Sequence, residues 1–173
     1  MKWLSFNCRG LANPAKKLAL RRLLDSEKLD VIFLQETLGD SVKIVSLLEA
    51  MILGWTFHAS YVRGIFSGIS VGISCRMTKL NIWGQEGVLM VDVFSEESDI
   101  DIWIFNIYGS CHNHMDFWED VMGSSLMQVD NLILGGDFNF SMVHVEFPGE
   151  AMRRWIRSRI FSNSSWRTTT LLI

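Results

Sequence analysis

The chain has 173 residues, 49% of them hydrophobic, which is enough for one domain with a buried core and too few for two comfortable ones. Its net charge of −3 and pI of about 5.8 do not mark a general nucleic-acid binder. Residues 151–173 carry five arginines and no acid, which leaves −8 on the first 150 residues. This asymmetry is compatible with a polyanionic partner, with a carboxylate-lined metal site, or with an ordinary solvated tail.

The cysteines and the apolar segments indicate an intracellular protein with no membrane partner. Cys8, Cys75 and Cys111 are odd in number and widely spaced, which favours free thiols in a reducing compartment over a disulfide framework. The start, MKWLSFNCRG, has too short an apolar run for a signal peptide. Windows such as IVSLLEAMILGW are interrupted by Glu49 and are shorter than the ~20 residues of a membrane span.

The first predicted elements alternate between strand and helix. Residues 2–6 predict a strand, and a helix with a basic outer face begins after Asn13 as N-cap and Pro14 at its first position. DVIFLQE is a continuous apolar run, typical of a strand covered on both sides, and residues 41–53 return to the helical period. The predicted inward residues are Ala15, Ala19, Leu20, Leu23 and Leu24 in the first helix and Val42, Val45, Leu48 and Ile52 in the second.

The second half is predicted to be rich in strands. Residues 56–105 contain several β-rich segments separated by turn residues, which indicates antiparallel strands. HMDFWEDVMGSSLMQV, residues 114–129, predicts a third helix with Phe117, Val121 and Leu126 inward, and NLILGG predicts the next strand. The order of elements predicts a layered α/β fold with helices packed on sheet.

Polar side chains follow four of these strands. Asn7 follows the first, Gln35 and Glu36 end the second, Tyr108 follows IWIFNI, and Asp137 and Asn139 follow NLILGG. Each has an ordinary structural interpretation: a surface ion pair for the Glu, a core ring for the Tyr, and a local turn for the Asp and Asn. Ligands of layered α/β proteins bind where loops leave the strands, so we expect these side chains to converge.

A zinc site is the rival interpretation of a second polar segment. SCHNH places Cys111, His112 and His114 within four residues. Structural zinc sites usually combine two separated ligand pairs, and the sequence offers no second pair. A polar loop before the third helix is the favoured interpretation.

Four segments together resemble the endonuclease/exonuclease/phosphatase superfamily of Mg²⁺-dependent phosphodiesterases. They are SFNCRGL at 5–11, VIFLQET at 31–37, FNIYG at 105–109 and ILGGDFN at 133–139. The NCRGL form, the DFWEDV helix and the doubled glycine before DFN are most similar to endonuclease domains of plant non-LTR (LINE-type) retrotransposons. The resemblance covers roughly residues 1–141.

The resemblance implies a DNase I-like α/β sandwich that nicks DNA with Mg²⁺, or with Mn²⁺ in its place. It implies that Glu36 and Asn7 hold the metal, and that Asp137 positions or deprotonates the attacking water. It further implies that Tyr108 hydrogen-bonds the phosphate, that Asn139 holds phosphate or water, and that Asn7 orders the catalytic site. We interpret Gln35 as support for these residues.

The C-terminal part departs from the family. Its Ser-Asp-His motif has no counterpart, because the 34 residues after Asn139 contain no Asp and only His144, which comes too early. We therefore expect a partial domain over residues 1–141, lacking the end of its second half, and a divergent basic tail over 142–173. An incomplete sandwich exposes apolar sheet, which predicts self-association. Two alternatives stay open: an inert remnant that at most binds a partner, and a phosphatase acting on a small phosphoester.

Overall fold

Helices and strands follow one another in the predicted order. A computed structural model of the chain describes residues 1–60, 68–85, 87–109, 114–124 and 129–138. Within these residues the elements are β1 (Trp3–Asn7), α1 (Pro14–Glu27), β2 (Val31–Gln35), α2 (Ser41–Met51), β3 (Trp55–Ser60), β4 (Ile69–Ser74), β5 (Met77–Gln85), β6 (Val88–Ser95), β7 (Ile100–Tyr108), α3 (His114–Gly123) and β8 (Leu132–Asp137).

The strands form two four-stranded mixed sheets. The first has the order β1-β2-β4-β3 and the second the order β5-β6-β7-β8. β1 and β2 are parallel, as are β7 and β8, whereas the other pairs are antiparallel. The segment predicted to hold antiparallel strands does so. Because each parallel pair ends in the same direction, each sheet presents two strand ends at one edge.

Three apolar clusters hold the layers together. One lies between the two sheets and includes Phe33, Val71 and Ile104, all fully buried. A second lies between the first sheet and helices α1 and α2, and a third packs α3 against the second sheet, with Trp118 at its centre. The protein is therefore a layered α/β sandwich, as predicted.

The first residues of the helices are confirmed, whereas some of the side chains predicted to be buried are exposed. Asn13 caps α1, since its Oδ1 accepts a hydrogen bond of 2.8 Å from the Ala15 N–H. Ala15 and Ala19 are nevertheless exposed, and so is Val42 of α2, whose place is taken by Ile44. Apolar residues occur on more than one face of α2, so its period alone could not select the buried one.

Helix α3 is shorter than predicted. It ends at Gly123 rather than near residue 129. Gly123 and the serines that follow it are poor helix formers, which explains the earlier end. Among the described residues, no helix combines the length and the hydropathy needed to cross a bilayer.

Gly136 is expected to be the least replaceable glycine of the described chain. Its φ is +134°, and a Cβ atom there would overlap the carbonyl group of Ile107 on the neighbouring strand. We expect Gly136→Ala to lower the free energy of unfolding by about 3 kcal/mol or more, measured by urea denaturation. Gly123→Ala is the control, because a Cβ at Gly123 meets no atom within 4 Å. Equal stability of the two variants would contradict this packing.

His58 of β3 should make stability depend on pH. Burial and the nearby Lys79 lower the pKa of His58 below its ordinary 6.5, and Glu49 opposes them in part. The folded state thus favours the neutral ring, so its contribution is complete above pH 6.5 and is lost as pH falls through the folded pKa. We expect the unfolding free energy of His58→Gln to fall less between pH 7.5 and pH 5.5 than that of wild type. Parallel pH curves for the two proteins would refute this.

Candidate active site

Four of the predicted site residues lie together at one end of the sandwich. Asn7 is the last residue of β1 and Tyr108 and Asp137 are the last residues of β7 and β8, while Glu36 directly follows β2. In the parallel registers Asn7 pairs with Gln35, and Tyr108 pairs with Asp137. Within each sheet, the two parallel strands therefore end at the same level.

Asn7 joins the two carboxylates. Its Nδ2 donates a hydrogen bond of 2.9 Å to Glu36 Oε1 and one of 3.0 Å to Asp137 Oδ2. Its Oδ1 accepts a bond of 3.1 Å from the Arg9 backbone N–H, which fixes the orientation of the amide. Asn7 thus contacts a residue 130 positions away in sequence.

Tyr108 completes the group from the second sheet. Its hydroxyl donates a 3.3 Å hydrogen bond to Glu36 Oε1, the same oxygen that accepts from Asn7. Because Glu36 belongs to the first sheet, this bond crosses the sandwich. The hydroxyl of Tyr108 is therefore held beside a carboxylate, and its single hydrogen can be donated to a bound anion only by leaving Glu36.

The loop after β1 is bonded to the loop after β2. Backbone N–H groups of Cys8, Gly10 and Leu11 donate to the carbonyls of Gln35, Glu36 and Thr37, at 2.8, 2.8 and 3.4 Å respectively. Lys16 of α1 adds side-chain bonds to the Cys8 and Arg9 carbonyls. Glu36 has φ of 52°, an uncommon left-handed conformation for a non-glycine residue, of the kind that clusters at functional sites.

The doubled glycine lets β8 approach the first sheet. A Cβ atom on Gly135 would lie 2.6 Å from the ring of Phe33, which belongs to β2. A larger residue there would push β8 away and take Asp137 with it. The small residues before Asp137 are therefore required for its contact with Asn7.

The cysteine beside the site is not a nucleophile. Burial raises the pKa of the Cys8 thiol to about 12, with Lys16 opposing the shift, so the thiolate is scarce at neutral pH. Cys8 is a buried free thiol and Cys75 an exposed one. Cys111 and His112 lie outside the described residues, as does Asn139, and the zinc alternative is not tested by the structure.

The donor set suits a hard divalent cation. Asn7 Nδ2 donates both hydrogen bonds, so the two carboxylate oxygens that accept them lie at most about 6 Å apart. At this distance their like charges repel each other. A divalent cation would relieve that repulsion. Among the described residues no three His, Cys, Asp or Glu side chains are grouped as a metal cage. Mg²⁺ needs no such cage, because it is usually held by one or two carboxylates and keeps several waters.

Sequence reasoning missed the polar residues one layer further in. Asn106 is fully buried and donates to two backbone carbonyls, and Ser5 accepts from the Gly136 N–H. Both lie two residues before a site residue on the same strand face. The alternation of Trp3, Ser5 and Asn7 was the available signal.

Fold and site define a two-sheet α/β sandwich with a carboxylate site where strand ends of both sheets meet. A match to the Endonuclease/Exonuclease/phosphatase family spans residues 4–171, and the chain belongs to this family. The match continues through residues that the sequence analysis treated as a divergent tail. A sequence comparison with curated proteins finds no significant match.

Solved structures share the fold at low sequence identity. An AP endonuclease from Leishmania major has a TM-score of 0.66 at 16% identity, over 90% of this chain and 65% of that one. TDP2 of D. rerio, complexed with single-strand DNA product, has 0.63 at 18%, over 80% and 60%. A mannosyl-6-phosphatase of Bacteroides thetaiotaomicron has 0.61 at 12%, over 82% and 66%. The chain thus spans about two thirds of their lengths or slightly less.

Proposed function

We propose that this chain is a Mg²⁺-dependent phosphodiesterase domain that nicks DNA, of the kind found in plant non-LTR (LINE-type) retrotransposons. The observation that carries the proposal is the Asn7 amide bonded to both the Glu36 and the Asp137 carboxylates. Membership of the family and the resemblance to nucleases and a phosphatase support a phosphoesterase. The NCRGL form, the DFWEDV helix and the doubled glycine before DFN support the retrotransposon type.

Each site residue has a distinct role in this proposal. Glu36 and Asn7 would hold Mg²⁺, with Mn²⁺ as a substitute, and the cation would supply positive charge to the phosphate. Asp137 orients the attacking water and accepts its proton. Tyr108 would turn its single hydroxyl hydrogen from Glu36 to a phosphate oxygen, a contact that is strongest when charge develops there. Asn139, which lies outside the described residues, would hold the phosphate in line.

Basic residues near the site favour a polyanionic substrate. Arg9 is exposed, and its backbone N–H donates to Asn7 Oδ1, which fixes its position beside the site. Lys16 and Lys17 lie on the first turns of α1, whose outer face also carries Arg21 and Arg22. Positive charge beside the site favours a phosphodiester backbone over an isolated small phosphoester. TDP2, complexed with single-strand DNA product, supports the same choice.

The other predictions about partners and boundaries remain proposals. The division into a partial domain over 1–141 and a basic tail over 142–173 lies largely outside the described residues. Among the described residues, β5 is a candidate surface for self-association, since its Leu80, Ile82 and Trp83 are 44%, 44% and 39% exposed. Sedimentation at several concentrations tests it, and a monomer throughout would exclude it.

Three substrates separate the proposed function from its alternatives. The chain is incubated with supercoiled plasmid, a sugar phosphate and an inositol phosphate, with Mg²⁺ or with EDTA. We expect open-circular plasmid in Mg²⁺ only and much less hydrolysis of the small phosphoesters. Hydrolysis of a small phosphoester without nicking would support the phosphatase. No hydrolysis of any substrate would support the inert remnant.

A further inference from the structure

A second polar layer lies directly beneath the four site residues. Gln35 and Asn106 face each other between the sheets, with a hydrogen bond of 2.8 Å from Gln35 Nε2 to Asn106 Oδ1. They are 1% and 0% exposed. Gln35 lies on the first sheet and Asn106 on the second, so this bond crosses the inter-sheet core.

The same layer reaches every strand that carries a site residue. Ser5 Oγ accepts a hydrogen bond of 3.1 Å from the Gly136 N–H and makes a longer bond of 3.4 Å to Gln35 Oε1. Ser5 lies two residues before Asn7, Gln35 one before Glu36, Asn106 two before Tyr108, and Gly136 one before Asp137. Each of the four members therefore lies one or two residues before a site residue on the same chain segment.

Asn106 makes three side-chain hydrogen bonds within this layer. Its Nδ2 donates to the carbonyl oxygens of Leu34 and Ser70, at 3.0 and 2.8 Å, while its Oδ1 accepts from Gln35. The donors and the acceptor of this amide thus connect β7 with β2 and β4. Apolar residues fill the inter-sheet core up to this level, including Phe33 and Ile104 two residues earlier on the same strands.

Two sheets can be joined at this depth without buried polar side chains. Buried amides must be fully hydrogen-bonded, and a pair of apolar side chains of the same shape would pack as well. Hydrogen bonds differ from apolar contacts in fixing direction and separation to within a few tenths of an ångström. That property matters where a carboxylate of one sheet must meet a carboxylate and a hydroxyl of the other.

We propose that Gln35 and Asn106 are positioning residues, which set the separation of the two sheets and thereby place Glu36 against Tyr108 and Asp137. The proposal rests on the proposed function for its effect on catalysis. Its effect on the geometry of the strand ends is independent of any activity.

The test compares Gln35→Met, Asn106→Leu and the double variant. Either single variant leaves a buried polar partner unsatisfied and should melt at a lower temperature than wild type. The double variant removes the unsatisfied side-chain amide, but the Leu34 and Ser70 carbonyls still lose their Asn106 donor, so its melting temperature should lie above that of Asn106→Leu and below that of wild type. We expect it to keep a tenfold or larger loss in Mn²⁺ affinity and in kcat, with KM changed little. Val31→Ala, at the other end of β2, is the control for a weakened inter-sheet core.

A double variant that regains both stability and Mn²⁺ affinity would overturn the proposal, because the pair would then serve packing alone. A second readout separates this outcome from failure of the proposed function. Amide exchange of Gly136, whose N–H donates to Ser5 Oγ across the two sheets, should rise tenfold in the double variant, whereas that of Asp30, which donates to the Lys2 carbonyl, should not. If wild type binds no Mn²⁺, the proposed function fails and exchange still decides the proposal. Equal changes at both amides would refute it.

Discussion

Replacing Asp137 with asparagine is expected to lower kcat for plasmid nicking by about 10²- to 10⁴-fold, the range for a general base. The variant keeps an oxygen for the Asn7 amide, whose bond to Asp137 is 3.0 Å long, so the strand ends should stay in place. What it loses is the ability to accept a proton from water. KM should therefore change little. The measurement is single-turnover nicking at saturating Mg²⁺.

Asp101→Asn is the matched control for this variant. Asp101 lies on β7, like Tyr108, but near the opposite end of the strand, and it is exposed. Its loss of charge should leave the rate within about twofold of wild type, because exposed charges interact weakly through water. A wild-type rate for Asp137→Asn would contradict the role of Asp137.

Replacing Glu36 with glutamine should act on the metal rather than on the water. The amide can still accept from Asn7 and Tyr108 through its oxygen, but it removes one negative charge from the pair of carboxylates. We expect the half-saturating Mg²⁺ concentration to rise at least about tenfold, equivalent to about 1.4 kcal/mol. Mg²⁺ should also raise the melting temperature of wild type more than that of the variant, since a cation stabilises the state that binds it.

The control for Glu36→Gln is Glu96→Gln, an exposed carboxylate after β6. It should leave both the Mg²⁺ dependence and the thermal shift unchanged. If Glu36→Gln required no more Mg²⁺ than wild type, the cation would be held elsewhere. That result would contradict the assignment of Glu36 as a metal ligand and would leave the description of the fold unchanged.

The site residues could be predicted because they interrupt strong local patterns. Glu36 directly follows a fully buried strand that is apolar up to Gln35, and Asp137 follows two glycines, so both are conspicuous in sequence. The contact between Asn7 and Asp137 could not be deduced from any local pattern, because 130 residues separate them. The expectation that the two would meet rested on their positions after strands of a layered α/β fold and on the resemblance to a family.

Other features escaped prediction for physical reasons. The order β1-β2-β4-β3 depends on long-range pairing, which the alternation within a strand does not encode. Asn106 lies inside a largely apolar strand. Its role depends on hydrogen bonds to the carbonyls of Leu34 and Ser70, which are distant in sequence. Val42 was assigned to the core because several faces of α2 are apolar.

Crystals of the chain soaked in Mn²⁺ would test the central claim most directly, that strand ends of the two sheets build one divalent-cation site. The account predicts an anomalous scattering peak at coordination distance from a Glu36 carboxylate oxygen, on the side of Asp137, and its disappearance in Glu36→Gln. A map that shows Mn²⁺ bound only at other carboxylates, with no peak at Glu36, would contradict it.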